Sequence, residues 1–154
     1  FQFMNLTKII KIADGMLLTP DMDVDVEIRG GYGADLMSDV LAFSQPDCIL
    51  LTGLTNLQVV RTAQMAEFRA IIFIRGKNPQ PETLALAKQE DIPLISSPYG
   101  MFELSARLHR AGLPSFESND PSSNAYRAGN SWTTRSLNHR SRRPENQPRG
   151  GTFV

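Results

Sequence analysis

Apolar residues recur along the first part of the chain with two periods, one typical of helices and one typical of strands. A repeat of three to four residues over 6–13 predicts a short amphipathic helix, with Asn5 as its cap and Gly15 at its end. Residues 24–28 alternate valine or isoleucine with an acidic residue, which predicts a strand whose acidic face is wet. A brief strand is predicted at residues 16–19.

From residue 35 onward, segments with the helical period alternate with short apolar runs. The predicted helices span 35–43, 56–67, 81–90 and 98–111, and the predicted buried strands span 47–52, 70–75 and 92–96. This alternation predicts an α/β fold with a mostly parallel sheet between two layers of helices, a three-layer α/β/α arrangement. The glycine-rich run at 30–33 interrupts the pattern and predicts a tight turn, with phosphate contact as the alternative.

The composition changes after Leu113 to serine, asparagine, arginine, proline and glycine, with Trp132 and Phe153 nearly isolated among polar residues. Such a segment buries too little apolar surface to offset the entropy lost on ordering. We therefore expect a folded α/β domain at residues 4–113 and a disordered polar and basic tail at residues 114–154. The basic run at 140–143 is interpreted as solvated tail, with RNA contact as the alternative.

Charge and cysteine content exclude several classes of protein. The chain has 16 basic and 16 acidic residues, so it lacks the overall positive field that draws proteins to nucleic acid or anionic membranes. Cys48 is the single cysteine and lies in an apolar run, which excludes an intramolecular disulfide and favours a core position. No apolar run reaches the roughly 18 residues of a membrane span, so we expect a cytoplasmic protein. Residues 1–3 precede the first regular pattern and are interpreted as a candidate upstream extension.

Three segments together resemble the DRTGG domain family. They read GGYGADLMSDVL at 30–41, TGLTN at 52–56, and IPLISSP at 92–98 followed by Met101, Phe102 and Glu103. The resemblance covers about residues 4–113 and extends to the N-terminal, non-catalytic domain of HPr kinase/phosphorylase. The string that names the family is absent, and Glu27-Ile28-Arg29-Gly30-Gly31 stands in its place, as in a stand-alone member.

The resemblance implies a fold and a class of function. Members of the family have a three-layer α/β/α domain that accompanies kinase, phosphotransacetylase or CBS modules and is taken to be regulatory or ligand-sensing. Small stand-alone members are similar to proteins encoded near hydrogenases. Because the resemblance is to the domain without kinase machinery, it implies no catalysis.

The main candidate site lies where the predicted parallel strands end, since ligands of open α/β sheets bind beyond the carboxyl ends of the strands. We call these residues the predicted rim: Thr52, Gly53, Thr55, Asn56, Arg75, Lys77, Ser96 and Ser97. Hydroxyls, two cations and helix N-termini there suit an anionic small molecule. The alternative is that these are ordinary capping and turn residues.

Secondary candidate residues are Gly31, Asp35, Ser38 and Asp39. Two carboxylates near a hydroxyl can coordinate magnesium, although a solvated helix start explains them equally well. The chain has no phosphate-binding loop of the form GxxxxGK[ST] and no complete dinucleotide motif. His109 and His139 lack partners at ligand spacing, so we predict no metal site, no cofactor and no catalytic residue.

The sequence thus favours a non-catalytic regulatory module that binds a nucleotide or phosphorylated metabolite at the predicted rim. The alternative is an interaction or dimerisation subunit that accompanies a partner enzyme, for example in a hydrogenase or kinase system, through Met101, Leu104 and Leu108 on the last helix. An enzyme using Asp35, Ser38 and Asp39 is the third hypothesis. It lacks a recognisable arrangement of nucleophile, base and orienting group.

Overall fold

Short strands and five helices alternate along residues 3–115, which the computed structural model describes. The strands are β1 (Met4–Asn5), β2 (Met16–Leu17), β3 (Glu27–Ile28), β4 (Gly31–Gly33), β5 (Ile49–Thr52), β6 (Ala70–Phe73) and β7 (Leu94–Ser96). The helices are α1 (Leu6–Ile12), α2 (Met37–Phe43), α3 (Leu57–Met65), α4 (Pro81–Gln89) and α5 (Met101–Arg110). Every helix and buried strand predicted from the apolar periods is present, most of them slightly shorter than predicted.

Five of the strands form one sheet in the order β2, β7, β6, β5 and β4. The last four are parallel to one another, and β2 pairs antiparallel with β7. Thr52 pairs with Phe73 and Phe73 pairs with Ser96, so the carboxyl ends of β5, β6 and β7 lie level at one edge of the sheet. The predicted mostly parallel sheet is confirmed. Strands β1 and β3 form a separate antiparallel pair.

Helices cover both faces of the sheet, as predicted for three layers. On one face, α1 and α5 insert Leu6, Ile9, Leu104 and Leu108 into a core that includes Leu51 and other strand residues. On the other face, α2, α3 and α4 pack against a second core. Every residue of β5 and β6 is buried, which explains why these strands read as continuous apolar runs rather than as alternating patterns.

The prediction of a tight turn at the glycine-rich run was wrong, because residues 31–33 form the edge strand β4. Gly31 and Gly33, the two glycines of this strand, do not have a positive φ. Their role is close packing: a Cβ on Gly31 would lie 3.2 Å from Leu113 Cδ2, and one on Gly33 would lie 2.9 Å from Met101 Sδ. Glycine in a strand often marks such an approach by another element.

The predicted strand at 24–28 is present only as Glu27–Ile28. The predicted alternation is confirmed, since Val24 and Val26 pack against the core while Asp25 and Glu27 are exposed. Leu6 N donates a hydrogen bond to Val26 O at 2.8 Å. The first residue of α1 thus fixes this segment, which a longer run of strand pairing would otherwise do.

The first residues assigned to the tail lie against the domain. Gly31 N donates to Pro114 O at 2.9 Å, and Gly31 forms a parallel bridge with Ser115. The rest of the predicted tail, including His139 and residues 140–143, lies outside the described residues. Across residues 3–115, no helix is both long enough and apolar enough to cross a membrane.

Candidate functional site

Three loops meet where β5, β6 and β7 end. Ile74 N donates to Thr52 O at 3.1 Å, which joins the first two strand ends. Arg75 N donates to Tyr99 O at 2.8 Å, and Gly76 N donates to Ser97 O at 2.6 Å. The loop after β6 is therefore fixed by backbone hydrogen bonds to the loop after β7.

The loop after β6 is a tight turn with an unusual residue in it. Lys77 N donates to Ile74 O at 3.1 Å, and the two residues between them, Arg75 and Gly76, have φ angles of 57° and 65°. Positive φ at both central positions is the pattern of a type I′ turn, which glycine, asparagine and aspartate normally occupy. Arg75 takes this conformation although its Cβ crowds the backbone there. The turn leaves the side chains of Arg75 and Lys77 exposed.

Asp35, from the segment between β4 and α2, joins the end of β5. Its Oδ1 atom accepts hydrogen bonds from Gly53 N at 2.7 Å and from Thr52 Oγ1 at 3.0 Å. Lys77 Nζ donates to Gly53 O at 3.2 Å. We call Asp35, Thr52, Gly53, Arg75 and Lys77 the charged cluster.

Gly53 allows two opposite charges to approach the same stretch of backbone. A Cβ at this position would lie 3.2 Å from Lys77 Nζ and 3.4 Å from Asp35 Oδ2. Among the ion pairs within 4 Å in residues 3–115, such as Arg69–Asp47 and Arg107–Glu103, none joins Lys77 to Asp35. The ammonium group and the second carboxylate oxygen therefore flank Gly53 without neutralising each other by contact.

The helices that follow these strands begin without side-chain caps. Asn56, Gln80 and Gly100 occupy the N-cap positions of α3, α4 and α5, and none makes a side-chain capping bond. Asn5, by contrast, caps α1 by accepting from Thr7 N at 2.9 Å. The positive ends of three helix dipoles thus lie at this end of the sheet without a side-chain cap, and the carboxylates in their first turns are Glu82 in α4 and Glu103 in α5.

Asn56 occupies the N-cap position of α3 without making a side-chain capping bond, so the alternative that it is an ordinary cap gains no support. Its Oδ1 atom is buried and has no hydrogen-bond partner among the described residues. Thr55 contributes its carbonyl to the fold, accepting from Thr83 Oγ1 at 2.8 Å and from Gln80 N at 3.2 Å.

Arg75 adds a positive charge at one of these helix starts. A Cβ on Gly100 would lie 3.6 Å from Arg75 Nε and 3.8 Å from its Nη2 atom, so the guanidinium rests against the N-cap of α5. A cation near the N-terminus of a helix is electrostatically unfavourable. Arg75 therefore combines a crowded backbone with a repelled side chain, and an anion at that point would relieve the repulsion.

Two serines of the predicted rim serve the fold. Ser97 is fully buried, donates its hydroxyl to Ala13 O at 2.7 Å and accepts from Tyr99 N at 3.3 Å. Ser96 is 9% exposed and donates to Lys77 O at 3.2 Å. Both hydroxyls hold the loops in place, and the two cations of the charged cluster that face solvent come from the turn after β6.

The secondary candidates are dispersed. Asp35 bonds to the end of β5, whereas Ser38 and Asp39 are exposed on α2 and Gly31 lies in the edge strand. Within the described range, no three histidine, cysteine, aspartate or glutamate side chains form a group that could hold a metal ion. A magnesium site at Asp35, Ser38 and Asp39 gains no support from the hydrogen bonds of Asp35, whose Oδ1 atom bonds to Gly53 and Thr52.

A cleft of about 400 Å³ lies away from the charged cluster, between β4 and α5. Its walls include Gly33, Leu51, Met101 and Phe102, and Phe102 is 89% exposed. The interaction face predicted on α5 was wrong in part, because Leu104 and Leu108 are 0% and 1% exposed within the core. Sequence reasoning missed the cleft because it assigned its floor, β4, to a turn.

Cys48 lies outside the charged cluster and outside the cleft, whereas His109 lines the cleft. Cys48 is fully buried, which confirms its predicted core position. Burial, and secondarily the charge of Asp47, raises the pKa of its thiol to about 11, so the reactive thiolate is disfavoured at neutral pH. His109 is exposed near the end of α5, where Arg107 and Arg110 also lie.

Comparison with known proteins identifies a related fold. No protein-family model matches the chain, and no curated protein sequence does. The structure is similar to the crystal structure of the CBS and DRTGG domains of the regulatory region of Clostridium perfringens pyrophosphatase, complexed with its activator diadenosine tetraphosphate. Sequence identity is 16% and the TM-score is 0.59, over 88% of this chain and 60% of that chain. The chain therefore spans less than two thirds of that regulatory region, and the likeness supports a DRTGG-like fold.

Proposed function

We propose that this domain is a non-catalytic regulatory module that binds an anionic small molecule, a nucleotide or a phosphorylated metabolite, at the charged cluster. The observation that carries the proposal is the placement of Arg75. Asp14, Asp47, Glu67 and Asp91 share its positive φ, but of these five residues Arg75 alone carries a positive charge, and that charge rests at a helix N-terminus. An ordinary L-residue in the left-handed region costs roughly 1–2 kcal/mol, and a cation beside a helix N-terminus adds to that cost. Neither cost stabilises the domain, and residues kept despite such costs cluster at binding sites.

Lys77 gives the site a second cation. Its ammonium group is exposed and lies against the carbonyl of Gly53, at the loop that leads to α3. An anion bound over the turn after β6 would meet Lys77 on the side of Gly53, and it would meet Arg75 and the uncapped start of α5 on the side of Gly100. Backbone amides and helix dipoles are the groups that hold phosphate in many α/β proteins.

The similar regulatory region from Clostridium perfringens supports the regulatory class, since that region was crystallised with a dinucleotide activator. It supports the fold and the kind of role rather than the position of the ligand. The proposed position of the ligand rests on Arg75 and Lys77.

A ligand screen on the full chain tests the proposal. Inorganic phosphate, nucleotides, dinucleotides and sugar phosphates are screened by thermal shift, and hits are measured by calorimetry. Ligand at 100 times its Kd should stabilise the fold by about 2.7 kcal/mol. The double variant Arg75→Ala/Lys77→Ala should bind at least about tenfold more weakly.

The control is Arg61→Ala/Lys88→Ala, which removes the same charge from exposed positions on α3 and α4. This variant should bind within about twofold of the wild type, because exposed charges at a distance are screened. Equal losses in both double variants would show that only net charge matters and would contradict the proposed site.

The apolar cleft favours a second candidate function, an interaction subunit. Phe102 is 89% exposed beside the cleft, and a large exposed aromatic side chain is typical of contact surfaces. We propose self-association as the form to test. Sedimentation should show an oligomer that Phe102→Ser weakens, whereas a wild-type monomer at high concentration would contradict it.

A further inference from the structure

The best hydrogen-bond donors of the charged cluster are already occupied by an anion of the protein itself. The amide of Gly53 and the hydroxyl of Thr52 both donate to one oxygen of Asp35, at 2.7 Å and 3.0 Å. A backbone amide and a hydroxyl that converge on one carboxylate oxygen are the same donors that bind a ligand carboxylate or phosphoryl oxygen. Asp35 therefore occupies the position that an oxyanion would take.

The hydrogen bonds from Gly53 and Thr52 to Asp35 do not depend on packing of Asp35 in the hydrophobic core. Asp35 is exposed, it belongs to neither β4 nor α2, and the next residue, Leu36, is 60% exposed. The anchors of the adjoining elements are elsewhere, at Tyr32 and at Met37, which are 7% and 5% exposed. The carboxylate can leave Gly53 and Thr52 by rotation of its own side chain, with those anchors unmoved.

Lys77 lies next to the donors that Asp35 occupies, where a ligand oxyanion that replaced the carboxylate would bind. Its ammonium group lies 3.2 Å from Gly53 O, and a Cβ on Gly53 would touch both this group and Asp35 Oδ2. An oxyanion that took the donors of Asp35 would therefore sit beside the ammonium group, where its charge is compensated.

We infer that Asp35 is an internal competitor for the ligand and that an oxyanion binds Gly53 and Thr52 only by displacing it. This inference rests on the proposed function and specifies how the same site is regulated. The ligand must present a carboxylate or phosphoryl oxygen, and its affinity is lowered by the strength of the Asp35 contact. Anything that draws Asp35 away raises the affinity.

The test is a calorimetric titration of the full chain with inorganic phosphate and with adenosine triphosphate. Asp35→Ala should bind at least about tenfold more tightly than the wild type, since it removes both the competitor and its repulsion. Glu82→Gln is the matched control, because Glu82 is an exposed carboxylate in the first turn of α4. It should change the affinity by less than about threefold, the effect of charge alone.

The role of the freed donors is tested in the Asp35→Ala background. Adding Thr52→Val, which removes the hydroxyl, should abolish most of the gain, whereas adding Thr52→Ser should retain it. Melting curves identify any variant that fails to fold, and Asp35→Leu, whose side chain has no acceptor atom, replaces Asp35→Ala if needed.

The outcomes separate the two claims. If the wild type binds through Arg75 and Lys77 but Asp35→Ala binds equally or more weakly, Asp35 has a positioning role and the inference is overturned. A gain in Asp35→Ala that persists with Thr52→Val would also overturn it, because the freed donors would not be used. If neither the wild type nor Asp35→Ala binds any probe, the proposed function itself fails.

Discussion

Replacing Arg75 by asparagine should make the protein more stable while it removes the proposed ligand contact. Arg75 has a φ of 57°, and its guanidinium lies against Gly100 at the start of α5. Asparagine tolerates the left-handed region, so the substitution relieves part of a backbone cost of roughly 1–2 kcal/mol. Removing the cation from the helix N-terminus adds about 0.3 kcal/mol, the low end of the usual range, because Arg75 is exposed.

The substitution also removes the packing of the guanidinium against Gly100. This loss lowers the free energy of unfolding by less than about 0.5 kcal/mol, as is usual for exposed side chains. The net expectation is a gain of about 1 kcal/mol in the free energy of unfolding. Urea denaturation of the wild type and Arg75→Asn measures it. Lys77→Asn is the control, since Lys77 has no positive φ and loses a charge without relief of the backbone.

A fall in stability for Arg75→Asn would contradict the proposed strain at Arg75, because it would mean that the arginine makes contacts that outweigh its backbone cost. So would an equal gain in Lys77→Asn, which would assign the effect to net charge. The same variant should bind ligand more weakly, so that stability and affinity change in opposite directions.

Three further predictions concern the core and the cysteine. Gly15→Ala should cost about 1–3 kcal/mol by overpacking, because its Cβ would lie 2.7 Å from Ile95 Cγ2; urea denaturation measures this, and an unchanged midpoint would contradict it. Leu104→Ala should cost about 2–5 kcal/mol, whereas Phe102→Ala on the same helix should change stability by less than about 0.5 kcal/mol; similar values for the two would contradict the assigned faces of α5. Burial raises the pKa of the Cys48 thiol from 9.0 to about 11, so as the pH rises this thiol ionises in the unfolded chain before it does in the folded one. The contribution of the buried neutral thiol to stability should therefore be lost between about pH 9 and pH 11. Cys48→Ala should not show that component, and identical pH profiles would contradict it.

The sequence predicted the layers well because the physical signal is strong there. Strands β5 and β6 are covered by helices on both faces, so each reads as an unbroken apolar run between turns. It failed at β4, because glycine has low strand propensity and the reason for Gly33, the approach of Met101 from α5, is a tertiary contact.

The candidate site was predicted in outline only. Parallel strands deliver their loops to one edge, which placed Thr52, Arg75 and Lys77 together. The bond from Asp35 to Gly53 joins residues 18 positions apart, and no local pattern signals it. The burial of Ser97 under the carbonyl of Ala13 depends on a contact 84 positions away.

The most direct test of the central claim is an amide NMR titration of the full chain with adenosine triphosphate. Saturable shifts are expected at Gly53, Lys77 and Gly100, which border the charged cluster, and they should be lost in Arg75→Ala/Lys77→Ala. Saturable shifts confined to the cleft between β4 and α5, or shifts that persist in the double variant, would contradict the central claim.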